Sequence, residues 1–452
     1  MSIDVPSKAR PITDQEFSDL MAAHGLDKDH KSVAVAVSGG ADSMALSLLV
    51  ARWGKAVYLS FDHGLRSNSA GEMSKVGAWL KAKGLKHVVL SWAGEKPTAG
   101  IQQAARDARY LAMEKWCKDN GVEYLLLAHH EGDQAETFLM RLARGSGVDG
   151  LSAMSDNTPP LFVNGGPTYI RPLLGVEKSR LVATLEHMQH DWVEDPSNEN
   201  LAFTRVQARK LLAEPPMEGL NNKRMANTAK RMKRVRQVLD RLTAEVLSAA
   251  VNTEEIATKS GFCHLNTAVL KEADEEIALR VLSRLLTHFG GSIYPPRMLP
   301  VERLLGEVMR EGFSGATLAG CHISDHKTHK RQVIIGREEN AIRDEIYINS
   351  GETTLWDNRF LIHLDENLPP LLVKKLDMPT WRDLVKGDAN DYAADIPRHF
   401  ISTLPAFYLK SSPESQVSQS KYDLIAVPSL GFWQSKLDGL SVVFKPKQGL
   451  KS

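Results

Sequence analysis

The sequence predicts an α/β fold: a parallel-sheet domain at the amino-terminal end, then a helical domain and a small mixed α+β module. Three observations carry this expectation. Short, nearly continuous apolar runs recur at residues 33–37, 56–61, 87–92 and 124–128, with 169–174 as a candidate fifth. Segments with helical spacing lie between them, at 42–53, 71–83, 100–120 and 133–144. Chemistry-bearing residues follow the ends of the runs. Apolar strands alternating with helices indicate a sheet covered on both faces. Such sheets bind ligands beyond the carboxyl ends of their strands.

The first run is valine-rich and ends in Ser38-Gly39-Gly40. The second, AVYLSF, is followed by Asp62-His63-Gly64. The helix expected over 100–120 carries Arg106, Arg109 and Tyr110, and the fourth run leads into His129-His130-Glu131-Gly132-Asp133. Residues 213–220, AEPPMEGL, read as a linker. Beyond it, 222–250 and 272–289 have helical patterns without strand alternation nearby, and strand-like pieces return from about 312, as at 332–335 and 360–363. A chain of 452 residues is too long for one average domain. The expected division is 1–215 for the parallel-sheet domain, 216–345 for a helical middle domain and 346–452 for a small carboxyl-terminal domain.

The net charge is only +1, so a nucleic-acid surface must be a local patch. The three cysteines, Cys117, Cys263 and Cys321, form no C-x-x-C pair. A disulfide framework, zinc ribbon or iron–sulfur site is not expected, and free thiols fit a reducing compartment. No signal-peptide pattern and no stretch near the roughly 18 apolar residues of a membrane helix is present. The expectation is a cytoplasmic protein without membrane contact.

Ser38-Gly39-Gly40-Ala41-Asp42-Ser43 follows an apolar strand and opens a helix. The glycines let backbone approach a phosphate, and the helix aims its free N–H groups and positive dipole end at the anion. Ser38 and Ser43 offer hydroxyl donors. Asp42 repels bare phosphate, and a Mg²⁺ between them reverses that. The alternative is a Gly-Gly turn with Asp42 and Ser43 capping a helix; the whole hexapeptide in a strand–loop–helix context favours nucleotide binding. No G-x-x-x-x-G-K-[ST] loop is present, and the formal G-x-G-x-x-G at Gly145, Gly147 and Gly150 follows a helix, the wrong context for a dinucleotide.

SGGADS resembles the motif of the PP-loop ATP pyrophosphatase superfamily. That resemblance implies cleavage of ATP between its α and β phosphates and transfer of AMP to a substrate oxygen. The segments DHGLR at 62–66, AHHEGDQAET at 128–137 and RPLL at 171–174 resemble, within that superfamily, the tRNA(Ile)-lysidine synthetase family. The resemblance spans roughly residues 33–209 and thins beyond. It implies ATP and Mg²⁺ as cofactors, and joining of free L-lysine to carbon 2 of the wobble cytidine of a tRNA(Ile) with a CAU anticodon. It also leaves room for a homodimer.

The same resemblance places Asp62 and His63 beside the adenine and ribose; alone they read as a strand-end turn. It favours Arg109 as a nucleotide contact. Asp133, Glu136 and Thr137 share a helical face, and His129, His130 and Asp133 gather where a parallel sheet puts its ligand. A capped helix start with a polar surface is the plainer reading of the same residues. Free lysine is mostly protonated, with a side-chain pKa of about 10.4. A carboxylate such as Asp133 attracts the ammonium, and a base must release the amine. A histidine can help there, and the sequence does not divide these roles. Asp42 and Asp133 are therefore the catalytic candidates. Asp195-Pro196-Ser197-Asn198 with Phe203, Arg205 and Arg209 resembles the family's closing segment, where arginine pairs with the lysine carboxylate or a phosphate. A turn followed by surface charge is equally compatible.

Lys and Arg greatly outnumber the single acid, Asp240, in residues 222–242. On a helix they make a positive face suited to RNA phosphates, whereas a solvating face mixes its charges. Two rivals remain. A tRNA 2-thiolating PP-loop enzyme wants catalytic cysteines, whose spacing is missing. A non-catalytic RNA-binding protein with a decayed nucleotide site does not need the complete SGGADS and Asp133.

Overall fold

The computed structural model describes residues 9–29, 32–65, 69–92, 96–97, 99–194, 204–251, 261–326, 331–384, 396–410, 422–433 and 437–446. Contacts divide the chain into two compact units, residues 1–237 and 238–452.

The first unit runs α1 (Asp14–Ala22), β1 (Val33–Ala36), α2 (Ala41–Trp53), β2 (Val57–Asp62), α3 (Ser69–Ala82), β3 (Lys86–Ser91), α4 (Ile101–Asp119), β4 (Tyr124–Leu126), α5 (Glu131–Leu142), α6 (Val148–Leu151), β5 (Asn157–Thr158), β6 (Thr168–Ile170), α7 (Lys178–His187), α8 (Thr204–Ala213) and the start of α9 (Asn222–Ala250). Its sheet has the order β3-β2-β1-β4-β6-β5. All pairs are parallel except the short edge pair β5–β6. The strands are apolar throughout because both faces are covered. Val33, Val35, Tyr58, Leu126 and Ile170 join the α1, α2, α3 and α7 side chains in one core. Their neighbours Ala34, Leu59, Leu125 and Tyr169 point the other way and pack on α4 through Tyr110, Met113 and Cys117. Helix α2 is buried almost along its whole length, which explains its weak polar face. Glu114 of α4, fully buried, accepts the N–H groups of Leu161, Phe162 and Val163 at 2.7, 2.8 and 2.6 Å and the Tyr169 hydroxyl, so a buried charge is met by four donors.

Strand order reverses between β1 and β4: the chain leaves β1 toward β2 and β3, and leaves β4 toward β6. The loops after β1 and β4 therefore open into one crevice, where open parallel sheets take their ligands.

The division inside α9 differs from the expected joint at 215/216. Met225 and Ala229 pack on Phe138, Leu151 and Ala153 of the first unit, whereas Leu247 and Ala250 belong to the core of the second. Residues 214–221, with the pair Pro215-Pro216, carry no helix or strand, as the linker reading expects.

The second unit also differs from a purely helical middle domain. Helices Glu275–Phe289 and Met298–Val308 are accompanied by a four-stranded antiparallel sheet, β7-β10-β9-β8, built from β7 (Phe262–Asn266), β8 (Ala316–Leu318), β9 (Cys321–Asp325) and β10 (Gln332–Arg337). Strand β7 is short and half apolar, too weak a pattern to read beside the strong helical periodicity that follows. A five-stranded and a three-stranded sheet complete the unit, and one continuous core joins residues from 247 to 444. Asp357 sits between two buried guanidinium groups, Arg337 at 2.7 Å and Arg359 at 2.6 Å. The expected 345/346 boundary thus lies within a shared core. No helix among the described residues is long and apolar enough to cross a membrane.

Candidate active site

Ser38–Ser43 is a turn built from the inside. The Ser43 hydroxyl accepts the N–H groups of Ser38 and Gly39 at 3.2 and 3.1 Å and the Ser38 hydroxyl at 3.1 Å, and donates to the Gly40 carbonyl at 3.0 Å. Ser43 is buried, so its part is to shape the loop; Ser38 is exposed, and its hydroxyl proton is given to Ser43, so neither hydroxyl is the free donor expected. Gly39 has φ +90°, which side chains rarely adopt, and a Cβ there would lie 2.7 Å from Val76 Cγ2. Gly40 caps α2 with extended backbone, and Ala41 and Asp42 are its first helical residues, their N–H groups among the unsatisfied donors of a helix start.

The start of α5 meets this loop across the crevice. His130 is its N-cap: Nδ1 accepts the Gly132 N–H at 3.0 Å, while Asp133 Oδ2 accepts the His130 N–H at 3.0 Å. This is a reciprocal capping box. With Nδ1 accepting, Nε2 carries the proton and faces both Asp42 Oδ2 at 3.6 Å and Asp133 Oδ2 at 3.7 Å. His130, expected to bind substrate, is thus the tie between the two candidate catalytic carboxylates. Two helix N-termini converge there, a local field suited to an anion.

The environments of the two aspartates differ. Burial raises the Asp42 pKa more than His130 and Lys178 pull it down. Its Oδ1 is buried with no hydrogen-bond partner. A carboxylate short of donors at a helix start suits a hard cation. Among the described residues no three His, Cys, Asp or Glu are gathered as a metal cage. A Mg²⁺ here would lean on Asp42, ATP phosphates and water. Burial also works to raise Asp133, but its neighbours His130 and Arg205 outweigh it and hold the carboxyl below its usual range.

Arg205 and Arg209 of α8 bind α5. Arg205 bridges Asp133 Oδ1 at 2.9 Å and Glu136 Oε2 at 2.8 Å, and Arg209 reaches Glu136 Oε1 at 2.7 Å. Neither is loose surface charge. Glu136 is buried and already holds two guanidinium groups, so its first task is to fix α8 on α5. Glu136→Gln is expected to cost roughly 2 kcal/mol, below the usual loss for a broken buried pair because both arginines are partly solvated. Urea unfolding of the variant with an unchanged midpoint would refute this.

His129 lies beside Asp133 and among Arg106, Arg171 and Arg205. Burial pushes its pKa down to about 3, and the arginines add to that against the pull of Asp133. It is a neutral imidazole and a poor proton acceptor, so the expected help with amine deprotonation does not come from His129. Arg109 and Arg106 both face Tyr110, their guanidinium carbons 5.2 and 5.0 Å from its ring centre. Arg171, from the RPLL segment, is buried and donates to the Ser155 carbonyl and Thr158 hydroxyl at 2.9 and 2.8 Å. Arg106, Arg109 and Tyr110 could be read together on one helix; that Arg171, far along the chain, joins them could not. Asp62 and His63 lie at the end of β2, one strand from the loop; Asp62 accepts the Gly64 N–H at 2.8 Å, and His63 packs edge-on against Phe61. Arg66, the segment 195–198 and Phe203 lie outside the described residues.

Helix α9 begins at this site. Asn222 lies against Gly132, and Glu131, whose pKa burial raises, is drawn back by Lys223. Part of the basic stretch is engaged internally: Lys233 pairs with Asp156, and Arg236 with Asp149 at 3.3 Å. Lys223, Arg224, Lys230, Arg231 and Arg234 remain exposed. All three cysteines are buried free thiols, and burial pushes Cys117 and Cys321 up to about 12. They are no sulfur-transfer reagents.

A parallel sheet whose first strand runs into a Ser-Gly-Gly turn and an Asp-bearing helix start defines a PP-loop nucleotide-binding protein, and the PP-loop domain family model matches residues 10–215. The relatives narrow the class. The tRNA(Ile)-lysidine synthase of Wolbachia pipientis wMel is 36% identical over 341 residues, 73% of this chain and 76% of the relative. That of Ruegeria pomeroyi is 36% identical over 381 residues, 81% and 86% of the two chains. That of Orientia tsutsugamushi is 29% identical over 449 residues, 95% and 97% of the two. The chain belongs to the tRNA(Ile)-lysidine synthase family.

Proposed function

We propose that this protein joins free lysine to carbon 2 of the wobble cytidine of a tRNA(Ile) with a CAU anticodon, at the expense of ATP, through an adenylated cytidine. The observation that carries this reading is the meeting of Asp42, His130 and Asp133 where the loop after β1 faces the start of α5, in a chain of this family. The backbone N–H groups after Gly40 hold the phosphates of ATP. Asp42 would hold a Mg²⁺, which would supply neutralisation of the charge that grows on the phosphates. The cytosine carbonyl oxygen attacks the α-phosphate and pyrophosphate leaves. The lysine amine then attacks carbon 2, loses a proton, and AMP departs with the oxygen. Asp133 keeps an ionised carboxylate near neutral pH, and each of its oxygens, though already accepting one N–H, has a second lone pair for an ammonium. Glu136 and Arg205 hold that carboxylate in place.

The exposed cations of α9 start beside the site and continue along the helix, so they suit the backbone of the RNA whose base enters the crevice. Replacing Lys230, Arg231 and Arg234 together by alanine is expected to weaken tRNA binding and to lower the slope of log affinity against log salt by about 2. An unchanged slope would remove α9 from the RNA path. The reading as a whole is tested by incubating the protein with ATP, labelled lysine and unmodified tRNA. Lysine appearing in the RNA, with one pyrophosphate released per lysine, is expected; pyrophosphate without lysine in the RNA overturns the assignment.

A further inference from the structure

The structure assigns His87 and Ser60 as a positioning pair for the nucleotide loop. They belong to neither the loop nor α5, and the inference rests on the reading of Ser38–Ser43 as the ATP-phosphate cradle. Ser60 lies near the end of β2, fully buried, and its hydroxyl donates to the Val37 carbonyl at 2.9 Å. His87 of β3 places Nε2 at 2.8 Å from the same hydroxyl oxygen. A serine hydroxyl has one proton, which here goes to the carbonyl, so its oxygen must accept from His87 Nε2–H. The order is one-directional: imidazole N–H to hydroxyl, hydroxyl to carbonyl. Each bond in such a chain polarises the next.

The bond received matters because of where Val37 stands. It is the residue before Ser38, and its N–H still takes the Leu59 carbonyl at 2.8 Å as part of the sheet. Its own carbonyl and the Ser38 N–H belong to one planar peptide. That N–H is held by Ser43 from within the loop at 3.2 Å. The first peptide of the loop is thus pinned at both ends, by Ser43 on one side and by Ser60 backed by His87 on the other. Rotating it would redirect every N–H that follows. The ring itself has a prepared seat: Gly77 of α3 faces it, and a Cβ there would lie 3.3 Å from His87 Nδ1, tighter than ordinary contact. Burial lowers the His87 pKa, and the neutral ring with its proton on Nε2 is the form the chain needs.

A preformed cradle acts on ATP binding rather than on the chemical step, which gives the test its readout. ATP affinity is measured by equilibrium dialysis of labelled ATP with the full chain, beside kcat and KM for pyrophosphate release. His87→Leu is expected to weaken ATP binding about fivefold, the worth of one hydrogen bond, with kcat little changed. His87→Gln, whose amide N–H can reach the serine oxygen, is expected to recover most of that affinity. Gly77→Ala, which displaces the ring from another element without replacing any donor of the chain, is expected to weaken binding in the same sense. The proposal is overturned if His87→Leu binds ATP as the native chain does, or if the Leu and Gln variants lose affinity equally. A native chain that binds no ATP would instead overturn the reading of the loop itself, so the two failures are distinguishable.

Discussion

Asp42→Asn is expected to lower pyrophosphate release from ATP by at least about a hundredfold while the protein unfolds at a temperature no lower than before. The two effects have opposite signs because of where the carboxylate sits. Its Oδ1 is buried without a donor, and burial raises its pKa above the usual carboxylate value. The native state therefore holds the Asp42 proton more tightly than the unfolded chain does. Stability falls as pH rises from the unfolded value, about 3.9, through the raised one, and above it the whole penalty is present. At neutral pH the asparagine removes that penalty. It also removes the charge that would hold Mg²⁺ against the phosphates, and leaves His130 Nε2 with Asp133 alone. Calorimetry and a pyrophosphate assay on the same preparation decide the matter. An asparagine variant of full activity would end the proposed metal-side role; one that is inactive because it no longer folds would show that the carboxylate is structural.

Gly39→Ala should be nearly as severe, for a reason of shape. The residue has φ +90° and its Cβ would stand 2.7 Å from Val76 Cγ2 and 3.4 Å from Val193 Cγ2. A shift to relieve this breaks bonds, because its N–H is bonded to Ser43 and its carbonyl accepts the Val193 N–H at 2.9 Å. Backbone strain and overlap together amount to about 3 kcal/mol. If the loop rearranges, the cost emerges as a loss of ATP affinity of roughly two orders of magnitude. If it does not, the same amount is lost from unfolding stability. Dialysis with labelled ATP and urea titration separate these outcomes, and an alanine variant matching the native chain in both would show that the turn is not constrained as its geometry states.

The nucleotide loop, the start of α5 and the sheet could be read from the amino acids alone because their signals are local. A buried parallel strand must be apolar on both faces, so Val33 to Val37 stands out by itself. Two glycines before a helix mark a place where backbone meets an anion. His129, His130 and Asp133 follow a strand end directly. The basic character of α9 is equally local, since charge needs no folding to be seen, and the family resemblance rested on these same short segments.

What only the tertiary structure decided are the pairings. Arg205 and Glu136 are 69 residues apart in sequence, and nothing in either segment says that the arginine is spent on α5. Ser43 looked like a phosphate donor until its hydroxyl was found holding the loop together. His130 was expected at the substrate, and packing sets its Nε2 between Asp42 and Asp133, 3.6 and 3.7 Å away. Either histidine of the pair could have helped to release the amine, and burial among arginines makes His129 a neutral ring. Burial and partners are properties of the packed chain, and they set whether a polar side chain binds, braces or titrates. In this protein the local pattern marked the candidate site, and packing over long sequence separations decided which of its side chains are left free there.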